Sequence, residues 1–585
     1  MSHNLVQLRR NRSDFDPTDN ALQRLKGVMH ERRIITPKDI AEIARAVHQP
    51  EATVFGVATY YGDLGLQPRG RARVKVCKGS ACHAACADDS VKWLEDALGL
   101  KLGETSKDGA VSLEAVYCLG FCNAGPAVEI EGRIYAGLTP ELARVLAKDL
   151  SGAGAREAHD AHAPRFEVHG GPAIVLERLA KSNVDARDLD AAKAHGVFEG
   201  LRAALAKTPE QVLAEVEASG LRGRGGAGFA TATKWRFAAE SAKAASTEAY
   251  VVCNADEGDP GSYIDKYIME RDPFAVLEGL AIAGRAIGAK RGFVYVRSEY
   301  PRSAPALRAA VEVARRAGIL GPSGFDVHVV EGAGSYVCGE ETALLRSIEG
   351  LRGMVTARPP YPAEKGLFEK PTVVNNVETL ANLGWILRHG GAAYGAIGVG
   401  KSRGTKTFSL NGLFARPGIY EVPLGTTLRA LLVGLGGGLT DGRAIKAIQI
   451  GGPLGGILPA SKLDVPLGFE ELDAHGALLG HGGVVVWAEG TDARDIAEHL
   501  LDFCAEESCG KCFPCRIGSH RGLEIARRLK TAPRTEVAGE VALLRELLDT
   551  MKMGSLCAHG GGIPAPIASL MVHFNDEMTK GAQGS

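Results

Sequence analysis

Three cysteines separated by two residues each constrain this 585-residue chain more than any other feature. Cys509, Cys512 and Cys515 lie in the sequence SCGKCFPC, and Cys557 follows after a helical stretch. Three thiolates on one tight turn, joined by a fourth from elsewhere, can hold the irons of a [4Fe–4S] cluster. Zinc also binds four cysteines, but zinc sites usually consist of two separate Cys-x-x-Cys pairs. The spacing therefore favours an iron–sulfur cluster over zinc.

A second group of cysteines lies near the N-terminus. Cys77 and Cys82 follow one predicted strand, and Cys118 and Cys122 follow a later one. Two pairs of thiols facing each other suit a [2Fe–2S] cluster, in which each pair holds one iron. Thioredoxin-type redox chemistry requires Cys-x-x-Cys at the start of a helix, and neither spacing here fits it. Cys86, one turn after Cys82, is a less favoured alternative ligand. The isolated cysteines are predicted to be buried thiols: Cys253, Cys338 and Cys504.

Charge and hydropathy exclude several classes of protein. The formal net charge is −1, so the chain has no basic surplus that would attract it over long range to a nucleic-acid backbone, and we do not expect a nucleic-acid partner. No apolar run reaches the roughly 18 residues that a membrane span needs. The arginines near the start are not followed by an apolar segment, so we expect no secretory signal and a cytoplasmic location. Thiols stay reduced in that compartment, which favours ligands over disulfides for the 12 cysteines.

The patterning predicts a multidomain α/β protein. Helical stretches alternate with short apolar strands in its central part, as in a doubly wound, largely parallel sheet. The predicted segments are a frayed N-terminus (1–18), a helical unit with a compact α/β domain (19–150), a linker (151–171), the doubly wound domain (172–404), a smaller β-rich domain (405–490) and a helical bundle (491–585).

A glycine-rich segment matches the dinucleotide-binding fingerprint in form only. Gly223, Gly225 and Gly228 have the required spacing, but the residues before them predict a helix, and the fingerprint requires a strand there. Glycines have no side chain and leave the backbone amides accessible, and Arg222, Arg224 and Lys234 add positive charge. The segment therefore suits a phosphate-bearing ligand bound in a different geometry.

A second glycine-rich segment matches the P-loop pattern through Gly395, Gly400, Lys401 and Ser402. Its context is wrong on both sides, because the upstream residues predict a helix and the downstream residues predict a strand. No helix N-terminus would face the phosphates. We therefore do not expect ATP hydrolysis.

Two acidic clusters occupy residues 254–263 and 332–345. The adjacent Glu340 and Glu341 could act in acid–base catalysis or bind metal, but no histidine accompanies them, so a hydrolytic metal site is unsupported. Carboxylates, amides and the accessible backbone groups of glycines are well suited to hydrogen bonds with the ribityl hydroxyls of a flavin and the ribose diols of a nucleotide.

The motifs RGRGGAGF, CNADEG, YVCGEETAL, PTVVNNVETL and ESCGKCFPCR occur in this order. Together they closely resemble the flavin-bearing, NADH-reacting subunit of respiratory complex I, over about residues 172–585. Residues 19–150 resemble the thioredoxin-like [2Fe–2S] subunit that accompanies it. The resemblance implies a Rossmann-like domain for FMN and NAD(H), a β-grasp domain of the soluble-ligand-binding type and a helical bundle with a [4Fe–4S] cluster.

The resemblance also implies roles for individual residues. FMN would be held by Gly223, Gly225, Lys234, Asn254, Asp256, Gly339, Glu340, Asn375 and Asn376, with Gly228 and Tyr336 also binding cofactor. NAD would lie near Phe229 and Phe237, with Tyr361 as a stacking platform helped by Arg358. The catalytic positions beside the nucleotide would be Glu257, Asp259 and Glu341. Asp259, Arg358 and Tyr361 replace the Glu, Lys and Phe usual in the complex I subunit, which affects individual contacts more than the site.

Three further segments narrow the resemblance: GGPLGGILPASKLDVPLGFEEL, LLGHGGVVV and GSLCAHGGGIP. They are most similar to the beta, diaphorase subunit of NAD-dependent, molybdenum- or tungsten-containing formate dehydrogenases. This implies a hetero-oligomer with a large molybdopterin and iron–sulfur subunit, and with small accessory subunits in some members. Alternatives are an NAD-reducing hydrogenase, a complex I-like enzyme, or a zinc-stapled scaffold without redox function. Hydride transfer between nicotinamide and flavin needs stacking more than a protein base, consistent with the lack of an acid–base dyad.

Overall fold

The computed structural model describes residue 17, residues 19–150 and residues 154–580. Apart from Pro17, the segment expected to be frayed lies outside these residues, as does the start of the expected linker. The chain divides into two compact units. The first comprises the described residues up to Arg69 together with Pro172–Glu257 and Asp265–Gly398, and the second comprises the rest.

The first unit contains the predicted parallel sheet. Its four strands lie in the spatial order Asp326–Glu331, Arg291–Val296, Tyr250–Ala255 and Thr372–Asn376. Every neighbouring pair is parallel. The first strand in sequence thus lies between the second and the last, so the strand order reverses beside it. In such sheets ligands bind at the carboxyl ends of the strands at this reversal.

Helices of the first unit cover the sheet and build its core. They are Ala21–Arg32, Pro37–Ala46, Glu51–Ala58, Leu189–Ala194, Glu199–Leu205, Pro209–Ser219, Thr231–Ala244, Ile264–Arg271, Pro273–Ile287, Ser303–Arg316, Glu341–Ile348, Pro362–Lys365, Val377–Ala381, Leu383–His389 and Gly391–Gly395. The helix predicted before the glycine-rich segment is confirmed as Pro209–Ser219, which starts at a Thr208–Gln211 capping box. It ends at Gly220, whose φ of 64° is left-handed.

The three N-terminal helices belong to this first unit. Leu25 and Val57 are buried in one hydrophobic cluster with Phe293 and Val374 of the parallel sheet. Tyr61, just after the third helix, donates a hydrogen bond to the Leu351 carbonyl at 2.6 Å. The helical segment that precedes residue 70 therefore supports the core of the unit that contains the glycine-rich loop.

The second unit contains two larger sheets. The first has four strands in the order Val111–Val116, Ala72–Cys77, Ala127–Ile130 and Arg133–Ala136, flanked by the helices Ser80–Cys86, Asp89–Leu98 and Pro140–Lys148. The second has six strands in the order Ile457–Pro459, Ile445–Ile450, Gly483–Ala488, Thr405–Leu410, Gly418–Pro423 and Arg165–Val168. The strand Thr405–Leu410 follows the P-loop-like segment, as the sequence predicts.

The segment expected to be a linker contributes secondary structure where it is described. Ala158–Ala161 is a short helix, and Arg165–Val168 pairs in parallel with Gly418–Pro423. Four residues give little periodicity, so the sequence pattern alone does not reveal this strand.

The predicted C-terminal bundle is present. Its helices are Ala493–Glu506, Phe513–Thr531, Arg534–Gly554, Ala558–Gly562, Pro564–His573 and Asn575–Met578. Asp492 caps the first helix by accepting a hydrogen bond from the Arg494 amide. None of the described helices combines the length and the hydropathy needed to cross a lipid bilayer.

Candidate cofactor sites

The strand-order reversal of the first unit brings several predicted ligand-binding residues together. Asn254 and Asn376 are paired in register near the ends of adjacent parallel strands. The Asn254 amide donates a hydrogen bond to the Gly339 carbonyl at 2.7 Å, which places the turn Tyr336–Gly339 at the same edge. Asn254 Oδ1 also accepts from the Asp256 amide at 3.1 Å. The edge therefore gathers residues from three of the sequence motifs.

The glycine-rich loop approaches this edge closely. A Cβ at Gly225 would lie 2.7 Å from the Cβ of Asn376, so no side chain fits there. Gly228 has a φ of 61°, which favours glycine. Arg222 Nε closes the loop by donating to the Gly228 carbonyl at 2.6 Å, and the Gly223 amide donates to the Phe229 carbonyl at 2.9 Å. The close backbone approach fits a cradle for a phosphate-bearing cofactor.

Glu340 supplies one free acceptor to this cradle. Its Oε2 caps the helix Glu341–Ile348 by accepting from the Thr342 and Ala343 amides at 2.9 and 3.0 Å. Its Oε1 is buried and accepts no hydrogen bond among the described residues, although Arg358 lies 3.8 Å away. A buried acceptor without a donor is costly, so this oxygen fits the hydroxyl donors of a ribityl chain.

Glu341 is held by two cations. Lys234 Nζ lies 3.2 Å from its Oε2, and Arg358 Nη1 lies 3.0 Å from its Oε1. Lys234 also donates to the Val374 carbonyl at 3.2 Å, which fixes it beside the sheet. Both oxygens of the carboxylate are thus ion-paired.

The NADEGDP motif is divided between the two units. Glu257 is buried in the first unit, where its oxygens accept from the Asp265 and Lys266 amides at 3.0 and 2.9 Å. Its carbonyl accepts from Arg297 and from the Tyr300 hydroxyl. Asp259 belongs to the second unit, where a Cβ at Gly452 would lie 2.4 Å from its carboxylate. In this geometry Glu257 caps a helix.

Three aromatic side chains predicted to contact NAD are about half exposed: Phe229, Phe237 and Tyr361. The helix carrying Phe237 packs against Pro362–Lys365, which directly follows Tyr361. Exposed rings on neighbouring elements offer stacking surfaces for a planar ligand.

Sequence reasoning missed two residues that orient the predicted amides. Asp265, which is buried, accepts from the Asn376 side chain at 2.5 Å, and Trp235 Nε1 donates to Asn375 Oδ1 at 2.7 Å. No local sequence pattern identifies Asp265 or Trp235, because each hydrogen bond joins residues more than 100 positions apart.

The prediction that Cys338 is a buried thiol is confirmed, and burial raises its pKa to about 12.

The four N-terminal cysteines come together in the second unit. Cys118 Sγ and Cys122 Sγ are 3.3 Å apart. Hydrogen bonding to Cys118 and Cys82, with burial, holds the pKa of the Cys77 thiol well above its usual range. All four are buried, and a Cβ at Gly125 would lie 2.9 Å from Cys82 Sγ. Four converging thiols fit a [2Fe–2S] cluster, whose binding would remove their protons.

Cys86 lies beside this group but has a different environment. Its Sγ is 3.6 Å from the Cys82 carbonyl, and it is only partly buried. Burial raises its pKa to about 11. Its sulfur contacts the carbonyls of Cys82 and Ala87.

The four C-terminal cysteines also converge. Cys509 and Cys512 precede the helix Phe513–Thr531, Cys515 lies in its first turn, and Cys557 precedes Ala558–Gly562. The Leu556 amide donates to Cys512 Sγ at 3.3 Å, and a Cβ at Gly560 would lie 2.8 Å from Cys515 Sγ. The two loops therefore close on one another, as four ligands of a cubane require.

One helix, Ala493–Glu506, lines both cysteine sites. Its His499 stacks on His83, next to Cys82, with ring centroids 4.1 Å apart. Its Cys504, predicted to be a buried thiol and confirmed as one, lies 3.5 Å from His559 Nε2, two residues after Cys557. The helix thus contacts residues that flank ligands of each site.

Four family models match the chain. They are the Nuo51 FMN-binding domain over residues 216–385, the thioredoxin-like [2Fe-2S] ferredoxin over 8–151, the NADH-ubiquinone oxidoreductase-F iron-sulfur binding region over 495–581 and the SLBB domain over 408–458. They confirm the predicted multidomain α/β fold and the expected cofactors FMN, NAD(H), [2Fe–2S] and [4Fe–4S].

Individual relatives agree with these models. The NADP-reducing hydrogenase subunit HndC of Solidesulfovibrio fructosivorans is 44% identical over 409 residues, covering 68% of this chain and 82% of the relative. A NADH-quinone oxidoreductase subunit of Rhizobium meliloti is 40% identical over 413 residues, covering 69% of this chain and 97% of the relative. A crystal structure of an NAD+-reducing [NiFe]-hydrogenase in the H2-reduced state aligns with a TM-score of 0.83 at 30% identity, covering 97% of this chain and 94% of that one. The chain therefore belongs to the family of FMN- and iron–sulfur-containing diaphorase subunits that includes these hydrogenase and NADH-quinone oxidoreductase relatives.

Proposed function

We propose that this chain is the diaphorase subunit of an NAD-dependent formate dehydrogenase, which reduces NAD+ with electrons delivered through its iron–sulfur clusters. The formate assignment rests on the resemblance to formate dehydrogenase beta subunits inferred from the sequence segments within 451–472, 478–486 and 554–564. The partner would be a large subunit with molybdopterin, holding molybdenum or tungsten, and iron–sulfur clusters. Cysteines that serve as cluster ligands and not in disulfides suit a cytoplasmic complex.

Apart from Oε1 of Glu340, the glutamate carboxylates of the proposed flavin site already have partners within the protein. Glu257 and Glu340 cap helices, and Glu341 is paired with Lys234 and Arg358. Bound FMN supplies the chemistry, because it exchanges electron pairs with nicotinamide and single electrons with iron–sulfur clusters. The chain contributes a tight loop, fixed hydrogen-bond partners and exposed rings that orient the two planar groups. A protein acid–base pair is not required for this role.

A hydrogenase diaphorase is the second candidate. It is favoured by the hydrogenase chain that aligns over 97% of this chain and by the 44% identity to a hydrogenase subunit. A complex I-like role remains the third alternative. These functions differ in the large subunit, and the flavin chemistry is common to all of them.

The deciding experiment is purification of the native complex under anaerobic conditions, followed by identification of its large subunit and assays with formate and hydrogen. We expect a molybdopterin-bearing subunit and formate-dependent NAD+ reduction. The isolated chain should reduce viologens with NADH and do nothing with formate. A nickel–iron subunit with hydrogen-dependent activity would overturn the formate assignment. Formate-dependent NAD+ reduction by the chain alone would overturn the role as an electron relay.

A further inference from the structure

One short segment leads into a turn of the flavin cradle. Residues 332–335 connect the strand Asp326–Glu331 with the turn Tyr336–Gly339, which we call the flavin turn. Ser335 flanks this turn, and its carbonyl accepts a hydrogen bond from the Cys338 amide at 3.1 Å. The position of the flavin turn therefore depends on the segment before it.

The N-terminal helical segment, residues 19–69, holds the backbone at this point. Every carbonyl from residue 331 to residue 334 accepts a hydrogen bond from it. In that order the donors are Gln23 Nε2 at 3.0 Å, Lys26 Nζ at 2.7 Å, the Asp63 amide at 3.0 Å and the Gly62 amide at 2.9 Å. All of these residues belong to the first unit. Two distant parts of the chain are thus joined by four consecutive backbone carbonyls.

Two adjacent tyrosines of the helical segment reach residues around the flavin turn. The Tyr60 hydroxyl donates to the Gly353 carbonyl at 2.6 Å and lies 3.3 Å from Ser335 Oγ. A Cβ at Gly353 would overlap Cys338 Sγ, so this backbone packs directly against the flavin turn. It would also lie 3.4 Å from atoms of both Tyr60 and Tyr61. The tyrosines and the flavin turn therefore contact the same stretch of backbone.

The segment before the flavin turn has little stiffness of its own. Gly332 and Gly334 flank Ala333, and Gly334 has a φ of 77°, which favours glycine. Glycine loses more conformational freedom on ordering than any other residue. Hydrogen bonds from another segment can order such a backbone before a ligand arrives, which strengthens binding through preorganisation.

We propose that the N-terminal helical segment is a clasp that holds the flavin turn in its FMN-binding conformation. Gln23, Lys26 and Tyr60 act as positioning residues, because their side chains contact the backbone around the turn. The ferredoxin model matches residues 8–151, so the clasp gives part of that region a role at the flavin site. The inference rests on the flavin site of the proposed function and is independent of formate.

The triple variant Q23A/K26M/Y60F removes the three side-chain donors and leaves the two backbone donors in place. In the deflavinated full chain with its clusters loaded, we expect FMN to bind at least about tenfold more weakly than to the unaltered chain. Flavin titration measures this affinity. Without FMN, amide hydrogen exchange in residues 332–340 should be faster in the variant, and saturating FMN should slow it again.

The matched control is K38M/T59A/Q67A, which changes three exposed residues of the same helical segment. It should leave the FMN affinity within about twofold of the unaltered chain, with unchanged exchange in residues 332–340. The single variant K26M should weaken FMN binding several-fold. K26R keeps a donor for the Gly332 carbonyl, so its affinity should stay close to that of the unaltered chain.

The proposal requires both weaker FMN binding and faster exchange in residues 332–340 of the triple variant. If either property matches that of the control, the proposal is overturned. It is also overturned if exchange rises equally throughout the first unit, because the segment would then only stabilise the core. An unaltered chain that binds no FMN would contradict the flavin site itself, and the clasp with it. Neither assay contains formate, so a failed formate assignment leaves this test intact.

Discussion

The flavin cradle of the first unit and the cysteine sites of the second are built in different ways. The cradle consists of loop backbone, strand ends and helix caps that distant residues hold in place, such as Trp235 on Asn375. Each cysteine site depends on four thiols from two short loops, such as Cys118 and Cys122. Distributed support should make the cradle tolerant of single changes that keep its close backbone contacts and sensitive to loss of core. The cysteine sites should be sensitive to the loss of a single thiol.

The largest expected effect is on the cradle. Deleting residues 19–69 removes Leu25, Val57 and other groups buried against the parallel sheet. Each such side chain contributes about 2 kcal/mol or more, so we expect the first unit to lose its fold and its flavin. The measurements are flavin content and thermal unfolding. Leu25→Ala should destabilise by about 2–5 kcal/mol, and exposed Phe55→Ser should not, so equal effects would contradict the shared core.

We expect the loss of one thiol to prevent cluster binding at a cysteine site, just as the loss of a whole segment prevents flavin binding at the cradle. Cys512→Ser replaces a soft ligand with a hard hydroxyl. We expect iron to fall by one cubane's content, with flavin retained, as measured by iron analysis and flavin absorbance. Cys86→Ser is the control and should keep the iron of both sites. Full iron in folded Cys512→Ser would reject the ligand assignment.

Two glycines of the cradle test whether FMN binding depends on the close approach of the loop to the sheet. Gly225→Ala puts a Cβ 2.7 Å from Asn376, whereas Gly223→Ala puts one 3.6 Å from its nearest neighbour. Overpacking costs about 1–3 kcal/mol, so FMN should bind Gly225→Ala about tenfold more weakly, and Gly223→Ala nearly normally. Flavin titration of the deflavinated chain measures both. Equal affinities would mean that the loop does not need its close approach to Asn376.

Glu341→Gln should have a smaller effect. The change removes the charge that pairs with Lys234 and Arg358 while keeping the shape of the side chain. We expect the KM for NADH to change about two- to tenfold through altered charge near the nucleotide. Exposed Glu217→Gln, which also loses an ion pair, is the control. Unchanged kinetics in both would remove Glu341 from the site.

Lys401→Ala should have the smallest effect. This exposed lysine precedes a strand and not a helix, so its replacement should alter stability by no more than about 0.5 kcal/mol. Diaphorase activity should be unchanged. Tight ATP binding that disappears in the variant would show that the P-loop pattern is functional.

Local patterns were readable from the sequence, and long-range pairings were not. The spacing of Cys509, Cys512 and Cys515 encodes a ligand turn within seven residues. In contrast, the hydrogen bond from Asn376 to Asp265 spans 111 residues and depends on how a strand meets a helix. The strand Arg165–Val168 similarly depends on its pairing with the strand Gly418–Pro423. Four residues are too few for the alternation of apolar and polar residues to predict a strand.

The helix Ala493–Glu506 also has a consequence for cluster insertion. Because His499 and Cys504 on this one helix contact residues that flank different cysteine sites, a cluster inserted at either site would restrain the helix for both. Insertion of the first cluster would then carry the conformational entropy cost of ordering the helix, and insertion of the second cluster would carry a smaller entropy cost. Loading of the two sites would be positively cooperative without any direct contact between the clusters.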